Sequence, residues 1–557
     1  MDAVSWGLMM IQDNLSTLEM TGKVRCPLYD TIPYTSAELT LIDTPEFQRL
    51  RRLKQTAFAH LVFPGATHTR FEHSLGVMHM VGRFFETLLR NQRSLLRNLE
   101  AEDLRRQQAS SDAQSSSGQR PSILPEIFET RAAAQLLESD PRILQSARFA
   151  GLLHDIGHAP FSHSGERLLP TWNDVQRQLA SLALPLWLKE TFERKIAQNS
   201  AAGPTAMRQS VKHEFFSLLL IARIFDKPSN ETLSPAMGQD TACLLDKDVP
   251  TRPDSPLAAT GLRTLVSQLI SGEIDADRMD YLRRDASHCG VVYGFFDASR
   301  ILDAAVFYRD LATGELNLAI HQSGLAAYED FLRARMSMYQ QVYFHKTGTA
   351  CEAMLAHISK LAPSLALPIS PEEYLQFDDQ SFYYLMKDRI QNSTHEGSSK
   401  AEQQEALSEL TNLTFNRRLW KRVYEESHAR LKYQSSPSLT IGVLNFLRRS
   451  GQEAEVIESE TSLSRFAPKG RTSSRGGSTH NSLRVVVRDV RGLSSLQAIE
   501  DHSRLINNLE EERLVQRVFV KPPLSGQVDQ IRESVASYLG SPSSPGMLED
   551  RARPETW

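Results

Sequence analysis

Cysteine is scarce in this chain of 557 residues: the four present, Cys26, Cys243, Cys289 and Cys351, are scattered and show no CxxC spacing. That excludes a disulfide framework or a cysteine-built zinc site and suits reduced thiols in a cytoplasmic protein. Long apolar runs and a basic-then-apolar leader are also missing, so neither a membrane span nor a secretory signal is expected. Basic residues are not in excess, since 63 Lys and Arg face 67 Asp and Glu for a formal charge of −4. No global field draws nucleic acid to the chain, although a local basic groove stays open. The absence of GxxxxGK[ST] removes P-loop chemistry, and there is no internal repeat. Aromatics make up only 8%, yet 41% of residues are hydrophobic, enough for a sizeable core. Length alone suggests more than one domain.

What the chain does have is histidine concentrated beside aspartate. From Gly151 to His163 it reads Gly-Leu-Leu-His-Asp-Ile-Gly-His-Ala-Pro-Phe-Ser-His. Neighbours on a helix point about 100° apart, so His154 and Asp155 share one ion only near a helix end. Gly157 and Pro160 supply that end, because neither suits a helix interior. Taken alone, such a pair reads as structural. Three further segments accompany it: Phe63–Gly76, where Arg70 and His73 open an amphipathic helix; Lys212-His213-Glu214, at the head of another; and Ile274–Asp285, reading Ile-Asp-Ala-Asp-Arg-Met-Asp-Tyr-Leu-Arg-Arg-Asp.

In chain order, residues 1–22 are expected to be a leader and 23–380 a helical core with inserts at 91–129 and 168–211. A C-terminal helical and α+β region then spans 381–540, with a disordered tail at 541–557. Lys23–Thr35 reads as irregular or short strand. Thr44-Pro45 starts a helix whose apolar face is Phe47, Leu50, Leu53 and Ala57. Phe71–Leu89 is a second helix. The first insert continues as a charged helix and then a mobile Ser/Gln-rich loop around Gln107–Gln119, which has no apolar anchor to offset its ordering entropy. The second carries a helix near Trp187–Ile196 and a flexible patch at Ser200–Pro204; it is either surface decoration or a lid. His213–Phe225 is helical, followed by a polar loop to about Pro256 and a helix to Ser271. Val306–Tyr308 and Leu316–Ile320 form a hairpin, and a long helix covers Leu325–Phe344. The chain stays helical to about Glu426. Lys469–Gly477 is a basic flexible loop, and Leu483–Arg488 and Leu514–Val520 are strands. The fold class is mainly α, with a small β-hairpin and a C-terminal α+β region.

His73, the His154-Asp155 pair and Asp277 match the H…HD…D signature of the HD phosphohydrolase superfamily. Their segments together resemble its deoxynucleoside triphosphate triphosphohydrolase branch, over roughly residues 20–380. The resemblance implies a helical HD-domain core and a divalent metal (Mn, Fe, Co, Ni, Zn or Mg) on His73, His154, Asp155 and Asp277. A mixed N/O donor set with open positions suits such an ion better than it suits a closed structural zinc site. The implied reaction is dNTP plus water giving deoxynucleoside plus inorganic triphosphate.

By the same resemblance His158 and His163 contact the α-phosphate and protonate the departing 5′-oxygen, with His213 a further member of that set. His213 reads equally as an ordinary helix-start histidine. Glu166 stands for the family's shorter acidic residue just after His163. Arg70, Arg278 and Arg335 fall at phosphate-contact positions, with Tyr281 beside them. Gln55 and Asp285 match groups that read the sugar 3′-hydroxyl, and Tyr343 an aromatic near sugar and base; each also reads as scaffold. Asp43, Gln48 and Arg51 match guanine-reading positions of the family's allosteric site, or form a plain helix cap and solvated face. Cys26–Ile32 departs from the family's Asp-Pro-x-His-Gly pattern, and Gln340-Gln341 replace paired arginines of the eukaryotic relative. Expected partners are a dNTP, a nucleotide activator and further copies in a homo-oligomer. Two alternatives stay open: another HD phosphohydrolase, acting on nucleoside monophosphates, signalling nucleotides or nucleic-acid ends, and a nucleotide-sensing defence subunit without turnover.

Overall fold

The computed structural model describes residues 18–111, 124–227, 232–362, 366–392, 399–429, 439–461, 483–488, 494–503, 505–506, 513–522 and 527–540. Most of the expected leader, residues 112–119 of the Ser/Gln-rich stretch, the basic loop Lys469–Gly477 and the tail 541–557 lie outside these residues, whereas Gln107–Ser111, expected to be mobile loop, are helical. The described chain is mainly helical, with small sheets. No helix among the described residues is long and apolar enough to cross a membrane.

β1 (Gly22–Cys26) and β2 (Asp30–Tyr34) pair as an antiparallel hairpin. The helix expected to run through Ala57 is cut short. Thr44 caps a single turn, Pro45–Gln48, and a 3-10 turn, Arg49–Arg52, follows. Leu53 is then extended and Ala57 takes a left-handed φ of 49°. Phe47, Leu50 and Leu53 are all buried, so their spacing reported burial correctly. Two tight turns in succession satisfy the same spacing as one longer helix. The consequence is functional, because the loop beyond Leu53 carries Gln55 into the central cavity.

α1 (Arg70–Ser111) is one helix of 42 residues that continues into the first insert. Leu75, Met78, Val81, Phe85 and Leu88 form its buried face. α2 (Pro141–Leu153), capped by Asp140, packs against it and is buried from Ile143 onward. Gly151 permits the close crossing, since a Cβ there would lie 3.0 Å from Val81 Cγ2 and 3.3 Å from the Met78 backbone.

α3 (Leu186–Ala202) in the second insert is longer than expected and takes in Ser200–Ala202, read from sequence as flexible; Gly203, at φ 105°, ends it. It buries Leu188, Phe192 and Ile196, and Phe192 stacks on Phe215 at 4.3 Å. Phe215 lies in α4 (His213–Phe225), whose bounds match the expectation. The stretch read as a polar loop contains α5 (Pro235–Leu245), capped by Ser234. Its Gly, Gln, Asp and Thr residues hide the period, yet Thr241 and Asp240 are buried beside Cys243 and Leu244. Lys195 of α3 bridges Asp246 and Asp248 just after α5, at 2.9 and 2.8 Å.

α6 (Leu262–Ile270) and α7 (Ala276–Cys289) follow, the latter capped by Asp275. β3 (Ala305–Arg309) and β4 (Leu316–His321) form the expected hairpin. α8 (Leu325–Met338) gives way to a π-helical turn, Tyr339–Tyr343, before α9 (Lys346–Leu361). α10 (Lys400–Thr411) is the last long helix before the chain turns to strand, so the helical stretch ends well before Glu426. β5 (Lys421–Ala429) replaces it; adjacent glutamates and a lysine-arginine start mask its alternation. Then come α11 (Leu439–Arg449), β6 (Ala454–Thr461), β7 (Arg484–Arg488), β8 (Ser494–Ala498), β9 (Arg513–Val520) and α12 (Gln527–Leu539). Two sheets result, ordered β3-β4-β7-β8 and β5-β9-β6. Because β7 runs parallel to β4, the C-terminal segment completes a sheet begun by the core.

Candidate metal and proton-transfer site

Three helix ends meet at the centre. His73 sits in the first turn of α1, His154 caps the end of α2 with Asp155 next to it, and Asp277 lies in the first turn of α7. His73 Nε2 is 3.0 Å from Asp277 Oδ1 and 3.5 Å from Asp155 Oδ2. His154 Nε2 is 3.2 Å from His73 Nε2, 3.4 Å from Asp155 Oδ1 and 3.5 Å from Asp277 Oδ1. The other ring nitrogens are committed elsewhere: His73 Nδ1 donates to Asp280 Oδ2 and His154 Nδ1 to the Gly151 carbonyl, both at 2.8 Å. Both Nε2 lone pairs therefore point at each other and at two carboxylates, the arrangement in which imidazoles bind a cation. Electrostatics agree. Burial disfavours a charged His73, but hydrogen bonds with Asp277 and Asp280 outweigh it and push the ring up to about 10. The facing carboxylates thus favour positive charge at this point, and these residues fit a divalent ion.

Beside this cluster lies a second array. His158 Nε2 is 3.1 Å from Asp155 Oδ1, and its ring stacks on His213 at 3.7 Å and 15°. Glu166 Oε1 accepts from His213 Nδ1 at 2.6 Å and from His163 Nδ1 at 3.2 Å. The longer glutamate side chain thus places its carboxylate between the two imidazoles. Burial opposes ionisation of Glu166, yet those two hydrogen bonds hold its carboxyl well below the ordinary range. Burial, then Arg70 and His213, hold the fully enclosed His158 well below the usual histidine value. This array also has metal-ligand residue types at close range. Stacked rings, however, keep the lone pairs of His158 and His213 in nearly parallel planes that do not converge on one ion. Proton transfer suits it better.

Both arrays open into one cavity of about 970 Å³, lined also by Gln55, Arg70, Asp277, Tyr281, Asp285 and Tyr343. Arg70 pairs with Asp155 and donates from Nε to Ser162 Oγ at 2.9 Å. Both oxygens of Asp285 have a partner: Oδ1 lies 2.7 Å from His68 Nε2, and Oδ2 accepts from the Tyr343 hydroxyl at 2.7 Å. Tyr343 meets Tyr281 edge-on at 6.1 Å. Gln55 Oε1 is buried without a hydrogen-bond partner.

Several expected residues are placed elsewhere. Arg278 does not line the cavity; its Nη1 donates to the carbonyls of Gly272 and Glu273 at 2.7 and 3.3 Å, closing the turn before its own helix. Arg335 is likewise buried outside the lining, over the Tyr339 ring at 5.6 Å. Asp43, Gln48 and Arg51 make local contacts instead: Asp43 ends a short helix, Gln48 donates to the Ile42 carbonyl, and Arg51 donates to Gln48 Oε1 and covers the Phe71 ring. Lys247 and Glu352 are among the lining residues that no motif announced. Lys247 follows the unforeseen helix α5, and Glu352, a carboxyl on the apolar face of α9, accepts from Ser164 at 3.1 Å. An acidic residue in that apolar stripe was the available signal for Glu352.

A helical core carrying converged His, His-Asp and Asp residues beside a polar cavity defines the HD class of phosphohydrolase fold. The family profile described as an HD associated region matches residues 296–439. The uncharacterized protein YwfO of Bacillus subtilis (strain 168) is 32% identical over 325 residues, 58% of this chain and 52% of that protein. Deoxynucleoside triphosphate triphosphohydrolase SAMHD1 of Homo sapiens is 27% identical over 356 residues, 62% of this chain and 45% of that protein. The matches thus span about half the length of these curated relatives. A hypothetical protein from Aquifex aeolicus, known by crystal structure, is 25% identical with a TM-score of 0.52, covering 92% of this chain and 99% of that one. The chain is thus similar to proteins of the HD phosphohydrolase superfamily.

Proposed function

We propose that the chain is a metal-dependent dNTP triphosphohydrolase, with His73, His154, Asp155 and Asp277 as metal ligands. The observation that carries this reading is the convergence of that donor set and a carboxylate-linked histidine array on one cavity. The likeness to relatives that include a deoxynucleoside triphosphate triphosphohydrolase supports it. A divalent ion in the donor set would polarise a phosphoryl oxygen and make water nucleophilic at neutral pH.

The chain's own residues have the remaining tasks. Arg70 fixes the Asp155 carboxylate and offers its other N–H groups to phosphate. His158, kept neutral by its surroundings, serves as a hydrogen-bond partner for the α-phosphate. His163 is the member of the array whose side chain is most open to the cavity, 71% exposed against 14% for His213. It is placed to protonate the 5′-oxygen as the water oxygen bonds to the α-phosphorus and the bond to the 5′-oxygen breaks. Glu166 stabilises the charged imidazole and, with His213, restores its proton. Gln55 Oε1 is the acceptor for the sugar 3′-hydroxyl, while Asp285 acts on the sugar through the oriented Tyr343. Asp155→Ala should lose both bound metal and release of inorganic triphosphate from dNTPs. Full activity in that variant would refute the assignment.

A further inference from the structure

His73 is held from behind by a buried pair that does not line the cavity. Asp280 Oδ2 accepts from His73 Nδ1 at 2.8 Å. Arg284 then grips the same carboxylate with both arms, Nε to Oδ2 and Nη2 to Oδ1, each at 2.8 Å. His73, Asp280 and Arg284 are all at most 1% exposed. Asp277, Asp280 and Arg284 fall on one face of α7 at helical spacing, so a single helix supplies both a donor to the cluster and the support for a second donor. Arg284 is steadied in turn by Cys26 Sγ, 3.7 Å from its terminal nitrogens, and by the Tyr29 ring at 5.9 Å.

Gly76 explains how such a pair fits. It lies one turn after His73 inside α1, where glycine disfavours the helix. A Cβ at Gly76 would come within 2.0 Å of Asp280 Oδ1 and 2.4 Å of Arg284 Nη2. The missing side chain is the room in which the carboxylate and guanidinium meet.

We propose that Asp280 and Arg284 are positioning residues that fix His73 with Nδ1 protonated and Nε2 aimed into the donor cluster, and that Gly76 is the space that admits them. The inference rests on the metal-binding reading given above. A carboxylate behind a ligating imidazole locks its tautomer and strengthens it as a donor, and losing such support typically weakens metal affinity about 10- to 100-fold. A purely architectural ion pair would instead change thermal stability and leave affinity alone.

The test is titration of metal-stripped full-length protein with Mn2+, with Tm measured in parallel. Asp280→Asn should raise the Mn2+ Kd about 10- to 100-fold, and Asp280→Glu should recover part of the loss. Gly76→Ala should raise it at least about tenfold while altering no group that binds metal or accepts from His73. Unchanged Mn2+ affinity in folded Asp280→Asn and Gly76→Ala would overturn the positioning role while leaving the metal site intact. Wild-type protein that binds no Mn2+ would overturn both readings. Because these variants place changes in the core, 15N-histidine NMR of Zn2+-loaded wild-type protein gives an independent check: His73 should show a protonated Nδ1 and a metal-bound Nε2. Binding through Nδ1 would also overturn the proposal.

Discussion

Glu166→Gln is the sharpest perturbation of the proposed proton pathway, because it keeps the shape of the side chain and removes only its charge. In the structure one oxygen, Oε1, serves both His213 at 2.6 Å and His163 at 3.2 Å. A hydrogen bond to a charged group is worth about 1.5–3 kcal/mol. The lower end applies here, since His163 is largely exposed and its share is screened by solvent. A loss of about 1.5–2 kcal/mol in the transition state corresponds to about a 10- to 30-fold fall in kcat. KM should change little, because Glu166 is assigned no contact with the nucleotide. The pH dependence has a definite sign. Glu166 is held below its ordinary range, so its contribution is present above the unfolded carboxyl value of about 4.3 and is lost only as pH falls through the lower folded value. Removing the anion disfavours a neighbouring imidazolium, so the basic limb should move to lower pH in the variant. Steady-state release of inorganic triphosphate from about pH 5 to 9 measures all three quantities. A folded, metal-loaded variant with kcat within about twofold of wild type across that range would refute the relay, because general acid–base catalysis contributes far more.

Arg278→Gln should lower stability by about 1–3 kcal/mol, the cost of buried carbonyls losing their donor. Its KM for dNTPs should stay within about threefold by the same geometry; a large KM rise at unchanged Tm would return Arg278 to the phosphates. Asp285→Asn should slow turnover of dNTPs and of 3′-deoxy analogues alike, since its oxygens are taken by His68 and Tyr343. Gln55→Ala should instead penalise dNTPs more than the 3′-deoxy analogues. The opposite pattern would exchange the two roles.

The proposed donor residues were legible in the sequence because His73, the His154-Asp155 pair and Asp277 together match the H…HD…D signature. Pro141 and the Gly157–Pro160 break bound the His154-Asp155 helix, Asp275 caps the Asp277 helix, and both signals are local. The hairpin at β3 and β4 was legible for the same reason. Arg278 was not. A cation three residues after a cap looks like a phosphate clamp, and only the tertiary turn at Gly272 shows where the guanidinium goes. Helix α5 stayed hidden because its polar residues are buried, which breaks the apolar period without breaking the helix. β5 reads as helix until β9 pairs with it, and that partner lies far along the chain. The support behind His73 was invisible for a similar reason: Asp280, Arg284 and Gly76 occupy two helices whose crossing no local pattern encodes.

The account's central claim is that water attacks the α-phosphorus of a dNTP and inorganic triphosphate leaves whole. The most direct measurement is mass spectrometry of the products formed by metal-loaded protein from each dNTP in 18O-water. Unlabelled deoxynucleoside together with inorganic triphosphate carrying a single 18O is the expected result. Orthophosphate, pyrophosphate or a nucleotide among the primary products, or label in the deoxynucleoside, would contradict it.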